Sequence, residues 1–248
     1  MNDLPDPLIP LLSRARRVVV VTGAGISAES GVPTFREART GLWARYDPAE
    51  LATAEAFRRN PDLVWRWYCW RRSQVLAVEP NAGHRAIADL QHRFPGFLLV
   101  TQNVDRLHQR AGSHAVVELH GNIMRARCFD NAHPVGDWPE PADNRVPVCP
   151  HCPSLLRPDV VWFGETLPRV ALQQAEQAAR DCDVLFSIGT SAVVYPAAAL
   201  AGIALRQGAT VVEINPEPTP LTARARFVLS GPAGVILPQL VARLAGAS

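Results

Sequence analysis

The sequence predicts an α/β fold: a Rossmann-like open parallel sheet with helices on both faces, carrying a smaller lobe. Three observations predict it. Short apolar runs without alternation recur along the chain, as strands buried on both faces require. Helical patterns separate several of these runs. A glycine-rich turn follows the first run directly.

In chain order, Val18-Val19-Val20-Val21 is the first such run, and it leads straight into Thr22-Gly23-Ala24-Gly25. Similar runs occupy residues 97–100, 116–119, 184–188 and 210–214, with a shorter one at 227–229. Helical patterns cover 82–94 and 169–180. Two stretches break the alternation. Residues 51–78 read as helical and gather Trp65, Trp67, Tyr68 and Trp70. Residues 125–157 have little periodicity, many prolines and three of the five cysteines. The expected division is therefore a nucleotide-binding domain from 1–40, 80–122 and 156–248. A helical insertion (41–79) and a cysteine- and proline-rich, zinc-ribbon-like insertion (123–155) make the small lobe.

Composition excludes several function classes. With 48% hydrophobic and 19% charged residues, disorder is not the main state. No apolar run approaches the roughly 20 residues of a membrane helix, since the longest, 192–205, is broken by Pro196 and Gly202. The start of the chain lacks the basic and apolar regions of a signal peptide, so the expected location is cytoplasmic. A net charge of +2 gives no bulk electrostatic case for nucleic acid. The expected assembly is a monomer. All 25 basic residues are Arg, so no lysine on this chain can be acylated. An odd cysteine count argues against a disulfide scaffold, and Cys69 and Cys182 read as small buried apolar residues.

Gly23-x-Gly25-x-x-Ala28 after a buried strand fits a dinucleotide-binding turn, whose glycines admit a pyrophosphate close to the backbone. A hydride-transfer dehydrogenase needs a second strand ending in Asp or Glu about 20 residues on. Here that region reads Gly41-Leu42-Trp43-Ala44-Arg45-Tyr46-Asp47-Pro48, which is no strand. The loop instead extends through Gly31-Val32-Pro33-Thr34-Phe35-Arg36, too rich in functional groups to be only a phosphate cradle.

The run from Gly23 through Ser27-Ala28-Glu29-Ser30-Gly31 to Arg36 resembles the signature of the sirtuins, the NAD-dependent protein deacylases. Thr101-Gln102-Asn103-Val104-Asp105 resembles the family's nicotinamide-side motif, and Glu118-Leu119-His120-Gly121 the segment with its catalytic histidine. Val161-Trp162-Phe163-Gly164-Glu165 resembles its substrate-binding strand. Gly189-Thr190-Ser191 and Ile214-Asn215-Pro216-Glu217 resemble its adenosine-side motifs. The resemblance spans nearly the whole chain.

It implies NAD binding by Gly23, Ala24, Gly25, Ser27, Ala28, Glu29, Thr34, Phe35, Arg36 and Trp43. It adds Gln102, Asn103 and Asp105, then Gly189, Thr190, Ser191, Asn215, Glu217 and Ala233. Asn103 and Asp105 can bond the nicotinamide carboxamide. Phe35 can shield the ribose after nicotinamide leaves. His120 is the expected base for a ribose hydroxyl, because imidazole titrates near neutral pH. His84 and His108 are expected to pack or cap.

Tyr68 and Arg71 lie three apart, on one face of the predicted helix. An arginine fork and a phenol together suit a carboxylate. Their spacing resembles the sirtuin class that removes succinyl and malonyl groups, and Ala52 matches a small residue that leaves the acyl pocket deep. The expected substrates are acyl-lysine proteins in extended form, adding a strand beside Val161, Trp162, Phe163 and Gly164. Desuccinylation, demalonylation and deacetylation are all expected. An ADP-ribosyltransferase or NAD glycohydrolase would use the same loop and His120, but would not need the Tyr68–Arg71 pair. A non-catalytic NAD-binding module would not need His120, Asn103 and Asp105 together.

The family's structural zinc is held by two cysteine pairs. Cys149-Pro150-His151-Cys152 supplies one. The other should pair Cys128 with a cysteine at position 131, which is Asn131. A fourth ligand could come from His133, Asp130 or His151; alternatively the lobe binds no metal and its prolines stiffen the loop.

Overall fold

The computed structural model describes residues 4–32, 47, 51–138 and 145–246. Its strands in chain order are β1 (Arg17–Thr22), β2 (Gly96–Thr101), β3 (Val116–Glu118), β4 (Gly121–Cys128), β5 (Pro134–Asp137), β6 (Leu156–Val160), β7 (Val184–Ile188), β8 (Thr210–Asn215) and β9 (Phe227–Ser230). Six of them form one parallel sheet in the order β3-β2-β1-β7-β8-β9. The strand order reverses between β1 and β7. In such sheets a ligand binds at that switch point, beyond the carboxyl ends of the strands.

The apolar runs lack alternation because both faces of the sheet are covered. Val18 and Val20 pack on one side with Leu8, Leu12, Ile87, Leu90 and Leu240. Val19 and Val21 pack on the other with Ala175, Ala179, Leu200 and Ala204. The helix Ala82–Arg93 starts at a capping box. The Asn81 side chain accepts the Gly83 and His84 N–H groups at 2.9 and 3.2 Å, and His84 Nδ1 accepts the Asn81 N–H at 3.3 Å.

The small lobe has its own core. Helices Ala54–Arg59 and Pro61–Leu76 begin at side-chain caps, Thr53 and Asn60, and Pro61 occupies the first helical turn, where its missing N–H costs nothing. They pack on the antiparallel sheet β5-β4-β6. Trp65 stacks on Trp138 at 4.4 Å between ring centres, and Phe57 lies 5.5 Å from Trp162.

Two expectations are corrected. β6 falls in a segment expected to belong to the larger domain, yet it pairs antiparallel with β4. Its Leu156 and Val160 complete the small-lobe core, and its Arg157 is buried by pairing with Glu165 rather than by an apolar run. Residues 161–165 were expected as a strand. They form an irregular segment, with a single bridge between Phe163 and Thr53. Their N–H groups are turned to other partners: Val161 to the His120 carbonyl, Phe163 to the Ala52 carbonyl and Trp162 to the Glu165 carboxylate.

Candidate active site

The carboxyl ends of β1 and β7 bring two glycine turns into contact. Gly23 N–H donates to the Ile188 carbonyl at 3.1 Å, and Gly25 N–H to the Gly189 carbonyl at 2.9 Å. A Cβ on Gly25 would lie 2.8 Å from Gly189 Cα, and one on Gly189, whose φ is +57°, would lie 2.6 Å from the Ile26 nitrogen. The sequence reading gave the loop glycines to the ligand's close approach. The structure adds a second demand, the interlocking of the two turns. Ala24 and Ala28 lie on the exposed side of the short helix Ala24–Ala28.

Along the β8 side, Asn215 Nδ2 donates to the Thr190 carbonyl at 2.9 Å, while Ser191 and Glu217 remain exposed. Ala233 is buried at the start of the helix Ala233–Ala245. Glu29 accepts the Gly234 N–H there at 3.0 Å, so it ties the glycine loop to that helix.

The other flank is built by the ends of β2 and β3. Ser27, buried, donates to Asp105 Oδ2 at 2.7 Å and accepts from Asn103 Nδ2 at 3.0 Å. Asn103 Nδ2 also reaches the Gly23 carbonyl at 3.0 Å. Asp105 accepts the Leu107 N–H at 2.9 Å as well. Burial raises the Asp105 carboxyl above its ordinary value, against the pull of those two hydrogen bonds. Behind this group runs a buried chain that sequence reasoning missed. His108 Nε2 contacts Thr22 Oγ1 at 2.9 Å, Thr22 Oγ1 donates to Thr101 Oγ1 at 2.9 Å, and Thr101 Oγ1 accepts the Asn103 N–H at 3.1 Å. Two threonines ending adjacent strands are too common a pattern to signal such a chain.

His120 follows β3. Its Nδ1 lies 3.1 Å from the Gln102 carbonyl. A carbonyl can only accept, so Nδ1 carries the hydrogen and Nε2 is left as the basic atom. Burial lowers the His120 imidazole below its ordinary value, partly offset by that hydrogen bond. His120 is thus held neutral, in the tautomer a general base needs.

In the small lobe, Tyr68 is buried, with Arg71 one helical turn on. The Arg71 guanidinium sits 5.7 Å from the Tyr68 ring centre and 5.0 Å from that of Trp67. Burial lowers Arg71 from its ordinary value; Tyr68 and, more weakly, the Asp105 carboxylate oppose this. Arg71 therefore lies within electrostatic reach of the Asn103–Asp105 group. Ala52 is buried beside this lobe's core. Phe163 and Gly164 are exposed, and nothing lies within 4 Å of where a Gly164 Cβ would be. Thr34, Phe35, Arg36 and Trp43 lie outside the described residues.

Cys128, Cys149, Cys152 and His133 place one donor atom each within 4.8 Å of one another. The Cys128 and Cys152 sulfurs are 3.5 Å apart, and His133 Nδ1 is 3.7 Å from the Cys149 sulfur. Three thiolates and an imidazole at these spacings fit a tetrahedral zinc. Of the three candidates for fourth ligand, the fold selects His133. Asn131, where a cysteine was expected, donates its backbone N–H to Cys128 and its amide to Cys152, each at 3.4 Å. Burial works against Cys128 ionisation, but the Asn131 N–H and bonds from Ser154 and Cys152 bring its thiol down to about 6.

Fold and switch point together define a class: a doubly wound nucleotide-binding protein with a metal-type side lobe. The family model "Sir2 family" matches residues 23–196, and the chain belongs to that family. The chain is 53% identical over 245 residues to "NAD-dependent protein deacylase 1" of Pseudomonas aeruginosa, covering 95% of this chain and 97% of that one. It is 51% identical over 233 residues to an "NAD-dependent protein deacylase" of Mycobacterium tuberculosis, covering 92% and 98%. Among solved structures, a Sir2 homolog–NAD complex superposes with a TM-score of 0.93 at 43% identity, over 99% of this chain and 96% of that one. A complex described as Sir2–p53 peptide–NAD+ gives 0.84 at 31% identity, over 98% and 99%. Among the described residues no helix is long and apolar enough to cross a membrane.

Proposed function

We propose that this chain is an NAD-dependent protein-lysine deacylase that removes succinyl, malonyl and acetyl groups, releasing nicotinamide and O-acyl-ADP-ribose. We read it as a cytoplasmic monomer acting on extended acyl-lysine peptides. The deacylase reading is supported by the names of its close relatives and by the neutral His120 beside the Ser27–Asn103–Asp105 group. NAD, when bound, supplies the ribose carbon that accepts the acyl oxygen.

The chain's own residues do the rest. Asn103 and Asp105 orient the nicotinamide carboxamide. His120 Nε2 takes the proton of a ribose hydroxyl while Nδ1–H stays on the Gln102 carbonyl. The substrate backbone runs past the open Gly164, and the Ala52 side of the lobe accommodates the acyl chain.

The single observation that carries the carboxyacyl preference is the Tyr68–Arg71 pair. It stands one turn apart on one helix, and Arg71 feels Asp105. A carboxylate there meets a fork of charged donors and a phenol. An acetyl group leaves that hydrogen bonding unused. An ADP-ribosyltransferase or NAD glycohydrolase has no use for this pair. The test is nicotinamide release with matched succinyl-lysine and acetyl-lysine peptides, for the unmodified chain, Arg71→Met and His120→Ala. We expect faster succinyl turnover, lost mainly in Arg71→Met, and no activity in His120→Ala. Dominant acetyl turnover untouched by Arg71→Met would leave an ordinary deacetylase. NAD cleavage independent of any acyl peptide would favour the glycohydrolase.

A further inference from the structure

We propose that Trp162 is a positioning residue for acyl specificity: its indole N–H fixes the Tyr68 hydroxyl as the donor that reads the acyl carboxylate. This rests on the carboxyacyl reading above and extends it to a residue outside the Tyr68–Arg71 pair. Trp162 belongs to the segment expected to pair with the peptide. Its side chain instead turns away from the exposed edge. It is only 2% exposed and packs against Phe57 and Phe129 in the small-lobe core.

Its Nε1 donates to Tyr68 Oη at 2.9 Å. An indole N–H can only donate, and a guanidinium can only donate. The Tyr68 oxygen accepts from Trp162, and Arg71, which bonds to Tyr68, can also only donate, so neither takes the Tyr68 hydrogen. That hydrogen is left for an accepting group other than these two. A carboxylate accepts only, so it can take the Tyr68 hydrogen and the Arg71 donors together. Without the Trp162 N–H, the Tyr68 hydrogen could turn away, and the phenol could present its lone pair to the carboxylate instead. Burial also raises Tyr68 above its ordinary value, against the pull of Arg71 and Trp162, so the phenol keeps its hydrogen at neutral pH.

Trp162 is itself held by Arg157 and Glu165. The Arg157 guanidinium lies over its ring, 3.3 Å from the ring centre. Glu165 accepts the Trp162 backbone N–H at 2.8 Å. The same carboxylate binds both terminal nitrogens of Arg157, and Arg157 also donates to the Val160 carbonyl at 2.7 Å. Arg157 is 2% exposed, so its side of the clamp is buried, while the Glu165 side chain keeps part of its surface in solvent. A tryptophan needed only for bulk would not require its nitrogen aimed at the Tyr68 phenol.

The test compares KM and kcat on matched succinyl-lysine and acetyl-lysine peptides for Trp162→Phe, Tyr68→Phe, Arg71→Met and the Trp162→Phe/Tyr68→Phe double variant. Trp162→Phe should raise KM for the succinyl peptide about tenfold relative to the acetyl peptide, the size of one charge-assisted hydrogen bond. In the Tyr68→Phe background it should change the succinyl/acetyl ratio no further, because no hydroxyl is left to orient. Replacing Trp162 by 3-benzothienylalanine keeps the fused ring and removes only the N–H, and should reproduce the Trp162→Phe ratio even if that variant folds poorly. If Tyr68→Phe and Arg71→Met leave the ratio unchanged, the carboxyacyl reading fails, and this inference with it. If those two lower the ratio while both Trp162 replacements do not, or lower both activities equally, this inference alone is overturned.

Discussion

The buried histidine behind the Asn103–Asp105 group should make the protein acid-labile by a calculable amount. His84 is fully buried, its ring centre 4.8 Å from that of His108. Burial, helped by the Arg85 charge, pushes its imidazole down to about 4. His108 is lowered well below its ordinary value in the same way, by burial and by His84. A histidine whose folded value is depressed takes up its proton in the unfolded chain first. Above about pH 6.5 both states are neutral and His84 adds nothing to the pH dependence. As pH falls from 6.5 towards 4, the unfolded state is favoured by about 1.4 kcal/mol per pH unit from this one group. Over the interval from 6.5 to about 4 that amounts to roughly 3 kcal/mol. It is a large share of the 5–15 kcal/mol typical of a domain. Because His108 leans on Thr22, Thr22 on Thr101 and Thr101 on Asn103, the strain of protonation would fall directly behind the Asn103–Asp105 group. The assay is urea denaturation at several pH values between 7.5 and 4.5 (roughly, within the reversible range), for the unmodified chain and for His84→Asn. The slope of stability against pH should fall by about one proton in the variant. An unchanged slope would show that His84 titrates normally, and would refute the reasoning from its burial.

The acid limb of kcat/KM against pH should inflect below the ordinary 6.5 of histidine, because burial lowers His120 and only its neutral form can accept a proton; an inflection above that value would contradict the neutral-base assignment. Gly189→Ala should destabilise the fold by about 2 kcal/mol or more and weaken NAD binding, since a Cβ there meets the Ile26 nitrogen at 2.6 Å from a left-handed backbone; calorimetric titration with NAD and denaturant melts check both. His133→Ala should lower the zinc bound per chain, read by elemental analysis, while His133→Cys retains it; equal zinc in the alanine variant would remove His133 from the ligand set.

Much of this protein was legible before any coordinates. The unalternating runs at 18–21, 184–188 and 210–214 suit strands covered on both faces, and with the helical patterns between such runs they pointed to the parallel sheet that these strands form. The ordered motifs around Gly23, Asn103, His120 and Gly189 carried the family, because turns with special backbone needs are spelled by local residues. The helix carrying Tyr68 and Arg71 was legible for the same kind of reason: its start is marked by Asn60 and Pro61, and the two residues lie three apart on it.

What the sequence could not determine depends on residues that meet only after folding. Position 131 departs from the cysteine pattern, and choosing among His133, Asp130 and His151 took the folded loop, which sets His133 against Cys149. Segment 161–165 carries a strand-like motif. The His120 and Ala52 carbonyls take its Val161 and Phe163 N–H groups, its own Glu165 takes that of Trp162, and the Trp162 side chain turns inward to Tyr68, 94 residues away in sequence. β6 lacks an apolar run, because its buried Arg157 is satisfied by Glu165 rather than by hydrophobic neighbours. The tautomer of His120 depends on a carbonyl that arrives from the neighbouring strand end. Local periodicity and turn chemistry are written in consecutive residues, whereas hydrogen-bond partners and burial are set by which surfaces the sheet and lobe bring together.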